Sequence, residues 1–209
     1  MVAVITKEAG NKKPTRAQRT AQVRELVFCA AATVVGNNGY ADASIREITE
    51  NAGIAQGTFY LYFKSRQDLF DQLLPHIGGE MVEFIRKRVV GSNSFFEVEE
   101  SGFRAFFEFL QENPGFFRVL NEAEIYAPKG HRKHFRNLIK PYLDSMRRSV
   151  QSGEIANSSD DELEALIYIF LSARSYLYMR YLKTQRKKSR ELPEWVVNTY
   201  MNFIRNGLG

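Results

Sequence analysis

Gln56, Gly57, Thr58 and Tyr60, followed by Lys64, form a run of side chains suited to gripping nucleic acid. A glutamine amide bonds N6 and N7 of adenine in bidentate fashion. The hydroxyls of Thr58 and Tyr60, the Lys64 ammonium and the upstream Ser44 hydroxyl suit phosphate oxygens, which set register and carry no sequence information. Arg46 adds a cation, and Gly57 lets the backbone approach a groove closely. Catalytic patterns are not found: there is no nucleophile elbow and no Walker loop. His131 and His134 stand three apart, a spacing that ligates a metal when a carboxylate joins it. No third ligand is near in sequence, so a solvated polar turn beside Arg132 and Lys133 is expected, with no metal, no cofactor and no enzymatic activity.

The elements that must carry this run read as a helix-turn-helix. Ser44 and Glu47 have capping-box spacing and open a helix whose Ile45 and Ile48 share one face. Gly53 supplies the positive φ of a tight turn. A second short helix is expected over about 55–62, with Phe59 and Phe63 four apart and packed inward. Slim, polar leading residues suit a major groove about 12 Å wide. Two amphipathic helices of an ordinary bundle would show the same spacing. The density of tyrosine and small polar residues, and the flanking charge, favour DNA. Of the net charge of +5, residues 1–66 carry +4, from nine basic and five acidic side chains.

Ala52-Gly53-Ile54-Ala55-Gln56-Gly57-Thr58-Phe59-Tyr60-Leu61-Tyr62-Phe63-Lys64-Ser65-Arg66-Gln67-Asp68-Leu69-Phe70 closely resembles the DNA-binding signature of TetR/AcrR-family transcriptional regulators. The match extends upstream through Gly39-Tyr40 and Ser44-Ile45-Arg46-Glu47-Ile48. The resemblance implies a homodimer with an N-terminal three-helix reading domain and a C-terminal helical domain that binds a small effector and dimerises. It places Gln56 where a base-reading residue stands. Ala55 and Leu61 depart from the polar residues common at those positions, which implies a smaller contact set. A cytoplasmic location also follows mostly from the resemblance.

The rest of the chain reads as all-α. Residues 1–18 are expected to be a flexible basic arm, 19–64 the helix-turn-helix domain and 65–209 the effector and dimerisation domain. A first helix over about 20–37 buries Val23, Val27, Ala30, Ala31 and Val34, with Cys29 as a small core residue. A helix from Ser65 is expected to kink at Pro75 and loosen at Gly78-Gly79, which makes Pro75 a plausible hinge. Further helices are expected over about 94–112, through 126, over 132–152 with Pro141 inside, over 159–184, and from Pro193 to 206. No apolar run is long enough to cross a membrane, and one cysteine excludes an intrachain disulfide.

Aromatic density marks the C-terminal half. Most rings at helical spacing are core, but Phe106, Phe107, Phe117, Tyr126, Tyr168, Tyr176 and Tyr178 are candidates to line an effector cavity. Arg174 lies in an apolar helix, where a charge must be paired or must face water or a ligand. It could meet a carboxylate effector, pair with Glu122 or Glu124, or lie at a dimer seam formed by the last two long helices. The reading that follows is a repressor, released from a palindromic operator when a small, largely apolar effector binds. A DNA-binding protein without an effector, an activator and an enzyme are the alternatives. The Lys183–Arg190 stretch is expected to be a solvated loop.

Overall fold

A computed structural model describes residues 15–183 and 191–208. Among the described residues the chain is all-helical: α1 (Arg16–Asn38), α2 (Ile45–Ala52), α3 (Gln56–Phe59), α4 (Arg66–Val89), α5 (Phe95–Glu112), α6 (Phe116–Tyr126), α7 (Pro128–Gln151), α8 (Asp160–Tyr178) and α9 (Glu194–Leu208). A π-helical turn, Met179–Lys183, follows α8. No described helix is long and apolar enough to cross a membrane.

Most of the expected arm, residues 1–14, and residues 184–190 of the basic stretch lie outside the described residues. Thr15 and Gln18, expected in that arm, instead form a reciprocal capping box, so α1 begins at Arg16. α4 runs unbroken through Pro75, Gly78 and Gly79. The expected interruption does not occur. Proline has no N–H to give the Asp71 carbonyl, and a Cβ on Gly130 would come within 2.6 Å of that oxygen. The glycine therefore allows another backbone to cover the spot that Pro75 leaves open. Pro128 stands at the first position of α7, where its missing N–H is harmless, so this helix starts at Pro128 and not at about 132 as expected.

The chain divides into two compact units. The first holds the described residues up to Ile77 together with Glu112–His131, and the second holds Gly78–Gln111 and Arg132 onward. The boundary expected at residue 65 differs from this division: residues 66–77 and all of α6 group with the helix-turn-helix. The cause is local. Gly36 on α1 and Gly115 before α6 cross so closely that a Cβ on Gly36 would lie 2.5 Å from the Gly115 Cα. The Arg118 guanidinium donates to the carbonyls of Asn37 (2.7 Å) and Asn38 (3.0 Å) at the end of α1. Tyr40 is fully buried, its hydroxyl donating to the Val119 carbonyl.

The second unit is built on a phenylalanine-rich core. Phe95, Phe103, Phe106, Phe107 and Phe109 of α5 are buried, as are Phe170 of α8 and Val197, Tyr200 and Ile204 of α9. α8 opens with a full capping box between Ser159 and Glu162, and three acidic residues in its first turn suit the helix dipole.

Candidate nucleic-acid interface

α1, α2 and α3 are locked together by a few local devices. Ser44 accepts from the Glu47 N–H at 3.1 Å and starts α2. Only half of the expected capping box forms, because the Glu47 carboxylate takes the Asn38 amide at 2.7 Å instead. Gly53 adopts the left-handed conformation, φ 67°, and ends α2. α3 is shorter than expected, four residues, followed by turns held by Leu61 N–H to Thr58 O and Tyr62 N–H to Phe59 O. Phe59 and Phe63 pack inward with ring centroids 5.4 Å apart.

Arg24 then fixes this turn to its surroundings. Its guanidinium lies over the Phe63 ring, donates to the Tyr62 carbonyl at 3.1 Å and to Gln72 of α4 at 2.7 Å. Arg66 supports the other side, donating to the carbonyls of Ala41 and Ala43 just before α2. Neither arginine stands out in the sequence as a structural group. Phe28, four residues on, also lies under the Arg24 guanidinium, but Tyr62, Phe63 and Gln72 are dozens of residues away and give no local signal.

With the rings of Phe59 and Phe63 inside, the opposite face is left open. Ser44, Arg46, Gln56, Gly57, Tyr60 and Lys64 are exposed, and Thr58 is half-buried. Arg46 pairs with Glu50 at 2.8 Å, an exposed pair that a phosphate could displace. Gly57 carries the sharpest geometric clue. Its φ is not positive, and a Cβ added there would meet nothing within 4 Å. Nothing in the fold therefore requires glycine at this position. The Lys64 backbone N–H is taken by the Asp68 carboxylate at 2.8 Å, and Ser65 caps the Asp68 N–H. That leaves the Lys64 side chain as its contribution.

The sequence profile of the bacterial regulatory proteins of the tetR family matches residues 28–73, which span this surface. The chain belongs to the TetR family of transcriptional regulators. Among its relatives, an uncharacterized HTH-type transcriptional regulator of Haemophilus influenzae is 27% identical over 107 residues, covering 51% of this chain. The match spans 57% of that relative's length. The fatty acid metabolism regulator protein of Bacillus subtilis is 26% identical over 142 residues, covering 66% of this chain and 73% of that protein. The crystal structure of FadR from B. subtilis in complex with stearoyl-CoA superposes with a TM-score of 0.72 at 19% identity, covering 88% of this chain and 99% of that one. At that identity the likeness shows the fold.

The expected effector residues of this TetR-family chain do not gather in one unit. Phe117 and Tyr126 belong to the first and the other six to the second. Phe117 is buried, and Tyr126 stacks on Tyr40 while staying 40% exposed. In the second unit Phe106 and Phe107 are buried, with Phe107 against Phe103 at 4.8 Å. Tyr178 is buried, whereas Tyr168 and Tyr176 are exposed. Arg174 is buried and pairs with neither Glu122 nor Glu124; it donates to Glu99 at 2.5 Å. Glu122 is already held by Arg118 and by the Tyr40 N–H. Glu99 also accepts from Tyr200 at 2.6 Å and from Tyr142. Burial pushes both phenols well up. In Tyr142 the Glu99 charge adds to the rise; in Tyr200 Arg174 pulls back before Glu99 adds. The missed signal was Glu99 itself, which stands four residues from both Phe95 and Phe103 on the apolar stripe of α5.

Two smaller expectations also fail. Cys29 is exposed, because the buried face of α1 runs through Val27, Phe28, Ala30 and Ala31. His134 is buried at 2% exposure, its ring filling the space that a side chain on Gly78 would take.

Proposed function

We propose that the chain is a repressor that binds a near-palindromic operator as a homodimer, and that a small, largely apolar effector releases it. The observation that carries the DNA reading is Gly57: a glycine unneeded by the fold, at the front of an exposed polar helix, suits close approach of a groove. Gln56 is the base reader. Ser44, Arg46, Thr58, Tyr60 and Lys64 hold phosphates. A two-fold dimer presents two such surfaces to successive major grooves.

The dimer reading draws on α8 and α9. Ala165, Ile169, Ser172 and Tyr176 form an exposed, uncharged stripe along α8. Trp195, Thr199 and Phe203 do the same along α9, with Trp195 58% and Phe203 65% exposed. Faces of this kind suit burial against a second copy. The effector to test first is a long-chain fatty acyl-CoA, since the B. subtilis structural neighbour is in complex with stearoyl-CoA. Occupancy without an effector is a second reading, favoured by the packing of Phe106 and Phe107 into a filled core.

Selection of bound sequences from random duplex DNA tests the first step. A palindromic consensus is expected, with affinity that falls steeply as salt rises. Absence of any enriched sequence at low salt would sink the DNA reading. Stearoyl-CoA added to the operator complex then separates the two effector readings: release supports the first, and unchanged affinity supports the second.

A further inference from the structure

In the sequence Leu61 is an apolar departure within a polar contact set. The structure gives it a setting. Leu61 is 79% exposed, the most exposed large hydrophobic side chain among the described residues. A lone exposed leucine needs no explanation. This one is held in place, however, and its neighbours are informative.

Phe59 and Phe63 are both buried, so the turn between them points residue 61 outward. The Leu61 N–H is bonded to Thr58 O at 3.2 Å, and the Phe63 N–H to Phe59 O at 3.0 Å. The side chain is therefore presented from a fixed backbone immediately after α3. It borders a recess of about 540 Å³, together with Arg16, Arg19, Thr20 and Tyr62. Two guanidinium groups flank the apolar side chain, and none of these lining residues is acidic. The surface thus asks for a partner that presents negative charge and small apolar groups together. Duplex DNA does so in its major groove, where phosphates border the 5-methyl groups of thymine.

We propose that Leu61 reads sequence, by packing on the 5-methyl group of one thymine in each half-site, while Arg16 and Arg19 hold the adjacent backbone. This rests on the DNA-binding reading above and adds a base contact beyond Gln56.

The test replaces each operator thymine in turn by deoxyuridine, which removes the methyl group and nothing else. Binding by the full-length protein is measured for each duplex. At one position per half-site, loss of the methyl is expected to weaken the wild-type protein about fourfold, the size of one buried methyl group. Leu61→Met should keep that sensitivity. Leu61→Ala and Leu61→Gln should abolish it at that position only, with unchanged thermal stability because the side chain is exposed. Tight binding with indifference to every methyl would overturn the Leu61 proposal and leave the DNA reading standing. So would full methyl sensitivity in Leu61→Ala. Failure to bind any duplex would remove both.

Discussion

Arg118 and Glu122 stand four residues apart on α6 in the first unit; Arg174 and Glu99 stand 75 apart in the second. Both are arginine–glutamate pairs beside tyrosine, yet they work differently. The side chains of Arg118 and Glu122 are 41% and 29% exposed, so their mutual attraction is worth little. Their value lies in the backbone. Arg118 satisfies the Asn37 and Asn38 carbonyls, which lack helical partners at the end of α1. A cation there also complements the helix dipole. Glu122 takes the Tyr40 N–H at 3.0 Å. The Arg174 and Glu99 side chains are 7% and 2% exposed, and burial opposes the charge of Arg174. The Glu99 charge and hydrogen bond, with Tyr142 and Tyr200, together outweigh that and keep the guanidinium protonated. The difference teaches that an exposed pair matters through what else it bonds, and a buried pair through the penalty of losing one member.

The largest effect should come from breaking the buried pair. Glu99→Ala leaves a guanidinium and two phenols without their acceptor. It is expected to destabilise the protein by about 3–5 kcal/mol. Urea unfolding followed by circular dichroism checks this. An apolar double replacement, Glu99→Leu with Arg174→Met, should recover most of the loss. A cost below about 1 kcal/mol for Glu99→Ala would mean that water reaches the site, and the contrast with Arg118 would collapse.

The two pairs also show how far the sequence could be read. Ser44, Gly53, Phe59 and Phe63 announced the helix-turn-helix because caps, a left-handed glycine and a four-residue repeat act within one or two turns. The exposed reading residues followed, since turning Phe59 and Phe63 inward decides what faces out. Arg174 was legible as a charge in need of a partner, but the partner was not. Glu122 and Glu124 are no nearer in sequence in any way that matters, and the choice of Glu99 depends on how α5 and α8 pack. The grouping of α6 with the first unit was hidden for the same reason: Gly36 and Gly115 mean nothing until they cross.

Arg118→Ala should have an intermediate effect, about 1–3 kcal/mol, because it leaves two carbonyls and Glu122 short of donors. Arg118→Lys tests the reason. One ammonium lacks the planar fork that serves Nε and both terminal nitrogens at once, so lysine should restore little. Full rescue by lysine would show that charge alone matters here, and would make the first pair an ordinary surface pair.

Alkaline titration compares the two regions by a different property. Tyr142 and Tyr200 beside Glu99, and Tyr40 beside Glu122 and Asp71, all have their phenols raised, with burial the largest cause. The folded state therefore keeps protons that the unfolded chain releases near pH 10, roughly the free tyrosine value. Stability is intact below that pH and falls as pH rises above it. Tyr40→Phe should flatten the fall by about one proton, and so should Tyr200→Phe. Unfolding midpoints measured between about pH 9 and 11 give the slope. An unchanged slope in Tyr200→Phe would mean that this phenol ionises freely in the folded protein.

The smallest effect on stability belongs to a residue with no interior partner. Gly36 is required by its crossing with Gly115, whereas a Cβ on Gly57 would touch nothing. Gly57→Ala should leave the fold intact and stabilise α3 by up to about 1 kcal/mol, since alanine is the better helix former. The added methyl would stand between the helix and the groove that it enters. Operator affinity is then expected to fall at least about tenfold, equivalent to about 1.4 kcal/mol. Thermal unfolding and fluorescence anisotropy on the selected operator give the two numbers separately. A glycine kept for the fold would lose stability first and binding only as a consequence. A glycine kept for DNA should show the opposite signs, and Gly57→Ala with unchanged affinity would place the closest approach of the groove elsewhere on the exposed face.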